Sequence, residues 1–321
     1  MERLSLTGAA QNLTFSREFL SSPPVKTCAA TKRQAKHKRS PQNRKFHLNL
    51  IAFQGETGAY SEQAARAFFG NGCQVLPCRT FHEAFVAAAE ARAQAAVIPI
   101  ENSLAGSVHQ NYDLLLQHHL HITGEVILRI SHHVMALPGV SWEQVQRVYS
   151  HPQALEQCRE FLHQRSELET IPAYDTAGSA KLIAENGWRE AAAIASAQAA
   201  GHYGLTILHS NVESNHQNYT RFLILKKDAA SVTEGKTSIV FSTQHIPGAL
   251  FKTLAVFALR DINLLKIESR PQHGSPWQYI FYLDFEGTPS QNHCRKALEH
   301  LGEITAFVRV LGAYEKGKVI E

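Results

Sequence analysis

The stretch LNLIAFQGETGAYSEQAARAFFG, Leu48 to Gly70, decides how the chain folds. An apolar run of strand length passes through two closely spaced glycines into a segment with apolar residues at helical spacing. The wording then repeats, with CQVLPC before FHEAFVAAAEARA, and AAVIPI before a helix through Tyr112 to Leu116. Strand and helix in alternation imply a parallel sheet with helices on its faces. A second group follows in EVILRISHHVMAL, RVYSHPQALEQCREFL, TAGSAKLIAENG, AAAIASAQAAGHYG and YTRFLILKK. Two α/β lobes over residues 47–227 are the economical reading.

Beyond the polar stretch KDAASVTEGK the order changes to strand TSIVFSTQ, helix PGALFKTLAVFALRD, strands NLLKIESRP and WQYIFYLDFEG, helix NHCRKALEHLG and strand AFVRVLGAY. That βαββαβ order predicts a ferredoxin-like split β-α-β domain over residues 236–316.

Upstream, residues 1–46 hold ten Lys/Arg against only Glu2 and Glu18 and have no apolar period, so disorder is expected there. Such a composition suits an organelle transit peptide and suits a basic tail equally. The formal charge of +4 arises in that segment; the remainder carries 22 basic and 26 acidic residues, and nucleic acid is not an expected partner. No run approaches the roughly 18 apolar residues of a membrane span, and no apolar core follows Met1 as a secretory signal requires. Five scattered cysteines without a C-x-x-C pair read as reduced thiols. His118, His119 and His121 lack the spacing of a metal site, so no metal is expected.

The polar residues gather where strands end. Gly55 and Gly58 flank Thr57, with Tyr60 and Ser61 at the helix start, where unpaired N–H groups suit an anion; a tight strand-to-helix turn needs the same glycines for its backbone. AAVIPI runs into Glu101, Asn102 and Ser103 at a strand's carboxyl end, where ligands of open α/β sheets bind; the same residues suit a turn and helix cap. Ser150, His151 and Gln153, then Asp175, Thr176 and Ser179, repeat the theme. His151 is a possible base and an equally good turn residue before Pro152. Asn218, Thr220, Arg221 and Phe222 precede an apolar strand, and an arginine beside a threonine hydroxyl suits an oxygen-rich anion.

Taken in order, GETGAYSEQA, PIENSLAGSVHQNYDLL, SHPQALEQC, DTAGSA, AAIASAQAAGHYGL, NYTRF and ESRP resemble the prephenate and arogenate dehydratases with a C-terminal ACT domain, over residues 48 to about 315. The resemblance implies a two-lobed catalytic domain like type II periplasmic binding proteins, with its cleft between the lobes. It implies a lyase that removes carbon dioxide and the ring hydroxyl from prephenate, giving phenylpyruvate, or from arogenate, giving phenylalanine directly. No cofactor is implied.

By the same resemblance Thr220 donates to the leaving hydroxyl, and Arg221 organises carboxylate binding. Asn102 and Ser103 join them, with Thr57, Tyr60, Ser61, Glu101, Gln153, Thr176 and Phe222 around the substrate. Phenylalanine binds between paired ACT domains at Gly248, Ala249, Leu250, Glu268, Ser269, Arg270 and Pro271, in a homodimer or homotetramer. The short connection RPQHGSPW resembles bacterial members, which implies a cytoplasmic protein; the plastid stroma is the alternative if residues 1–46 are a transit peptide. Those residues are too few and too polar for a helical chorismate mutase module. A non-catalytic amino-acid sensor is the rival from another class, since both folds host pure binding functions.

Overall fold

The computed structural model describes residues 50–321 apart from 273, 275 and 276, so the expectations for residues 1–46 lie outside the described residues. The chain opens with β1 (Leu50–Gln54), α1 (Tyr60–Phe69), β2 (Gln74–Cys78), α2 (Phe81–Ala89), β3 (Ala95–Asn102), β4 (Gly106–Ser107), α3 (His109–Gln117) and β5 (His121–Arg129). It continues through β6 (His133–Ala136), β7 (Arg147–Ser150), α4 (Pro152–Gln157), α5 (Arg159–Leu162), β8 (Glu169–Pro172), α6 (Thr176–Asn186), β9 (Ala191–Ala195), α7 (Ala197–Tyr203), β10 (Thr206–His209) and β11 (Tyr219–Lys226). The last part is β12 (Lys236–Ser242), α8 (Ala249–Ala258), β13 (Leu264–Pro271), β14 (Tyr279–Glu286), α9 (Asn292–Ile304), β15 (Phe307–Tyr314) and β16 (Val319–Ile320).

These strands form three sheets, ordered β16-β5-β11-β3-β1-β2 with β4 beside β3, then β10-β6-β9-β7-β8, then β13-β14-β12-β15. The protein is therefore a two-lobed α/β fold with a ferredoxin-like third unit. The first sheet is mixed, a departure from the parallel expectation: β1, β2 and β3 are parallel, while β11 runs antiparallel to both β3 and β5. The cause is the crossing between lobes. EVILRISHHVMAL, read as one strand, breaks after Arg129, so that β5 stays in the first sheet and β6 joins the second. The chain returns along β11, and both crossings meet between the lobes.

Composition explains the second lobe's tight packing. Central strand β9, AAAIA, is buried throughout, and its small side chains let α6 and α7 lie close against it. Asp175 accepts from Gly178 N at 2.7 Å to start α6, and Gly187 ends it in the left-handed region at φ 64°.

The third unit lies against the back of the first lobe. Val240, Ile280, Tyr282, Leu311 and Tyr314 share one apolar core with Ala96, Ile98, Leu115 and Leu223, while α8 and α9 cover the opposite face of its sheet. Tail strand β16, absent from the sequence reading, then pairs with β5.

Candidate active site

Register builds the centre of the site. Thr220 pairs with Asn102 across β11 and β3, and Arg221 pairs with Glu101. Side chains alternate along a strand, so Asn102 and Thr220 point together to one face and Glu101 and Arg221 to the other. On the first face lies a cavity of about 370 Å³ between the lobes, within the range of small-molecule sites. Tyr60, Ser61, Asn102, Gln153, Thr176, Thr220 and Phe222 line it, as do Gln54, Ser107, His132, His151, Gln157 and Asp175.

Asn102 organises this cavity. Its Nδ2 donates to Thr220 Oγ1 at 3.0 Å and to Asn218 Oδ1 at 2.7 Å, while its Oδ1 accepts from Leu104 N and Ala105 N at 3.0 and 2.8 Å. Because Thr220 accepts from this amide, its own O–H proton stays available to a molecule in the cleft. A chain of contacts continues across the hinge. Asn218 Nδ2 and His132 Nε2 both donate to Gln157 Oε1, at 3.0 and 2.9 Å. His132 Nδ1 then lies 2.9 Å from the Tyr60 hydroxyl, which donates to Ser131 O at 2.7 Å. Glu213 holds the backbone of this crossing, accepting from His132 N at 2.9 Å. Burial pushes the His132 imidazole below its usual range, against the pull of Gln157 and Glu213, so the ring stays neutral.

Among the residues lining the cleft there is no lysine or arginine, and Asp175 is the one carboxyl group. What attracts an anion is dipolar: the first turns of α1 and α6 open onto the cavity at Tyr60, Ser61 and Thr176. Gly58 accounts for the close approach of the lobes. At φ 89° it favours glycine, and a Cβ there meets the Ala199 backbone at 2.7 Å. Ser196 Oγ donates to Gly58 O at 2.6 Å across the same gap.

Four residues expected at the substrate do not line this cavity. Arg221, facing away from the cleft, binds Glu125 Oε2 and Asp284 Oδ2 at 2.7 Å each and Tyr314 OH at 3.0 Å, joining the first lobe to the third unit. Glu101 follows the same alternation to Lys266 at 2.9 Å. Ser103 closes the junction of β3 and β11, donating to Gln217 O and accepting from Tyr219 N, both at 2.9 Å. Thr57 sits between Gly55 and Gly58, both at positive φ, and does not line the cavity.

Strand alternation likewise splits the expected effector residues. Gly248, Ala249 and Leu250 line a second cavity with Trp277, Tyr279 and Phe281. Glu268 and Arg270 instead face the first lobe, where Ser107 Oγ donates to Glu268 at 2.8 Å and Arg270 meets Asp113 at 2.8 Å; Ser269 and Pro271, on the other face of β13, are exposed. Ser107 lines the cleft, so Glu268 touches the cavity's own lining.

Gln54, Ser107, His132 and Gln157 are not among the site residues expected from the sequence. Gln157 lies one helical turn after Gln153 on α4, a spacing that puts both on one face. His132 had no local signal, because it lies inside what reads as a continuous strand.

Residues 51–230 match the family model described as prephenate dehydratase. An Arabidopsis thaliana protein, "Arogenate dehydratase/prephenate dehydratase 1, chloroplastic", is 42% identical over 98% of this chain and 82% of its own length. Among solved structures, a prephenate dehydratase from Arthrobacter aurescens in complex with L-Phe is 30% identical, with a TM-score of 0.77 over 83% of this chain and 90% of that one. A protein described as a novel type of quorum quenching acylase is 36% identical, also at 0.77, over 84% of this chain and 98% of that one.

Proposed function

Since this chain belongs to the prephenate dehydratase family, we propose that its interlobe cleft takes arogenate or prephenate and expels carbon dioxide and water from the ring. The carrying observation is the Thr220 hydroxyl, fixed as an acceptor by Asn102 and free to donate into a cleft without lysine or arginine. As the bond to the ring carboxylate breaks, its electron pair enters the ring and expels the hydroxyl oxygen, which leaves as water after gaining one proton. Thr220 is a poor acid, so its part is a hydrogen bond to the charge that develops on that oxygen. A cleft free of cations leaves the departing carboxylate weakly held, which favours its loss over its retention.

Residues 47–227 serve as the catalytic part and residues 236–316 as an ACT regulatory part. The cavity beside Gly248, Ala249 and Leu250, walled by Trp277, Tyr279 and Phe281, suits the ring of phenylalanine as effector, and the L-Phe complex of the Arthrobacter relative supports that reading. Glu268 and Arg270 then carry the signal through Ser107 and Asp113. Exposed Phe251, Leu259, Leu265 and Ile267 support pairing through this region in a dimer or tetramer. The chloroplastic relative aligns over 98% of the chain, a span that takes in most of the basic N-terminal segment. That favours the plastid stroma over the cytoplasm.

The test is to incubate the purified chain with arogenate and with prephenate, following phenylalanine and phenylpyruvate, with and without added phenylalanine. Turnover of either supports the reading, and turnover of neither defeats it.

A further inference from the structure

Resting on that reading of the cleft, we infer that Asp175 is a specificity residue whose carboxylate binds the side-chain ammonium of arogenate and so selects it over the keto analogue prephenate. The two substrates share ring, hydroxyl and ring carboxylate; they differ where one carries an ammonium and the other a keto oxygen. Discrimination therefore needs a group that treats those two differently, and among the residues lining the cleft Asp175 is the one fixed charge.

Capping α6 explains only part of this side chain. Oδ1 accepts from Gly178 N at 2.7 Å, a task that serine, threonine or asparagine performs as well without bringing a negative charge to an anion-binding cleft. Oδ2 approaches the first lobe, 3.0 Å from where a Cβ on Gly55 stands. Among the described residues no lysine or arginine pairs with Asp175, and the nearby Glu56 carboxylate is itself engaged by Tyr174 and Lys181 at 3.1 Å each. Burial, with the Glu56 charge adding to it, raises the Asp175 carboxyl above its usual range, against backbone hydrogen bonds from Gly178 and Glu56 and the His151 ring. An ammonium supplies the counter-charge that the protein leaves out; a keto oxygen adds a second negative dipole.

Placement agrees with the substrate's shape. Thr220 belongs to the first lobe and Asp175 to the second, so one lobe meets the ring hydroxyl and the other the amino-acid end opposite it.

The experiment measures kcat/KM for both substrates on the full chain and on Asp175→Asn, which retains a capping side chain and removes the charge. Losing a charge-assisted hydrogen bond predicts a drop of about 10- to 100-fold for arogenate and a smaller drop or a gain for prephenate, so that the ratio of the two shifts toward prephenate. Asp175→Ser, another capping residue, should shift the ratio the same way and stands in if the asparagine variant folds poorly. Equal scaling of both substrates overturns the proposal and leaves Asp175 a helix cap. A wild-type preference for prephenate overturns it too. Turnover of neither substrate by the wild type is the distinct result that removes the dehydratase reading beneath it.

Discussion

On the cleft side of β11, Thr220 meets a neutral amide in a cavity whose lining holds no lysine or arginine; on the other side, Arg221 meets Glu125, Asp284 and the Tyr314 hydroxyl, with Lys236 2.7 Å from the same Glu125. A single peptide bond separates the two settings. The difference shows how the sheet divides labour: hydrogen bonds and helix dipoles face the cleft, and paired charges join the lobe to the third unit. A buried cation is tolerable on the back because carboxylates surround it. In the cleft it would strengthen the hold on a carboxylate that must leave.

The largest expected effect falls on the back face. Arg221→Ala leaves the buried carboxylates of Glu125 and Asp284 sharing Lys236 as a single cation, with one negative charge uncompensated, and denaturant unfolding should show a loss of about 3–5 kcal/mol. Full stability in that variant breaks the division of labour. Next comes Thr220→Ala, for which turnover should fall about 10²- to 10³-fold with KM and melting temperature nearly unchanged. An unaltered rate constant removes Thr220 from the mechanism.

A smaller effect should link the faces. Glu268→Gln weakens the contact with Ser107, and the phenylalanine response should shrink by part of a coupling of about 1–3 kcal/mol while basal turnover is largely kept. An unchanged inhibition curve sends the coupling elsewhere. The smallest concerns pH and the hinge. The native state keeps His132 neutral while an unfolded imidazole gains a proton near 6.5, so unfolded chains bind more protons as pH falls. Stability should therefore be full above 6.5 and decline below it, by at most about 1.4 kcal/mol per pH unit from this group. His132→Gln should flatten that slope, and an identical slope in the variant argues that other groups set it.

Motif and period made much of this legible. The strand-helix wording from Leu48 announced the α/β lobes, and βαββαβ announced the third unit, because local hydrophobic period directly encodes which face of an element is buried. Tyr60, Ser61, Asn102, Gln153, Thr176, Thr220 and Phe222 were picked from strings at strand ends, and all line one cavity. Arg221 and Glu101 came from the same strings and face away, since adjacency in sequence is opposition across a strand.

What the sequence by itself determined is the set of elements, the polar residues at their ends and the family they resemble. Tertiary structure alone decided the break between β5 and β6, the antiparallel return of β11, the docking of β16 and the bond from Asn102 to Thr220, 118 residues apart. Each of these depends on which strand lies beside which and in what register. Short-range patterns carry the period of an element and say nothing of its neighbour.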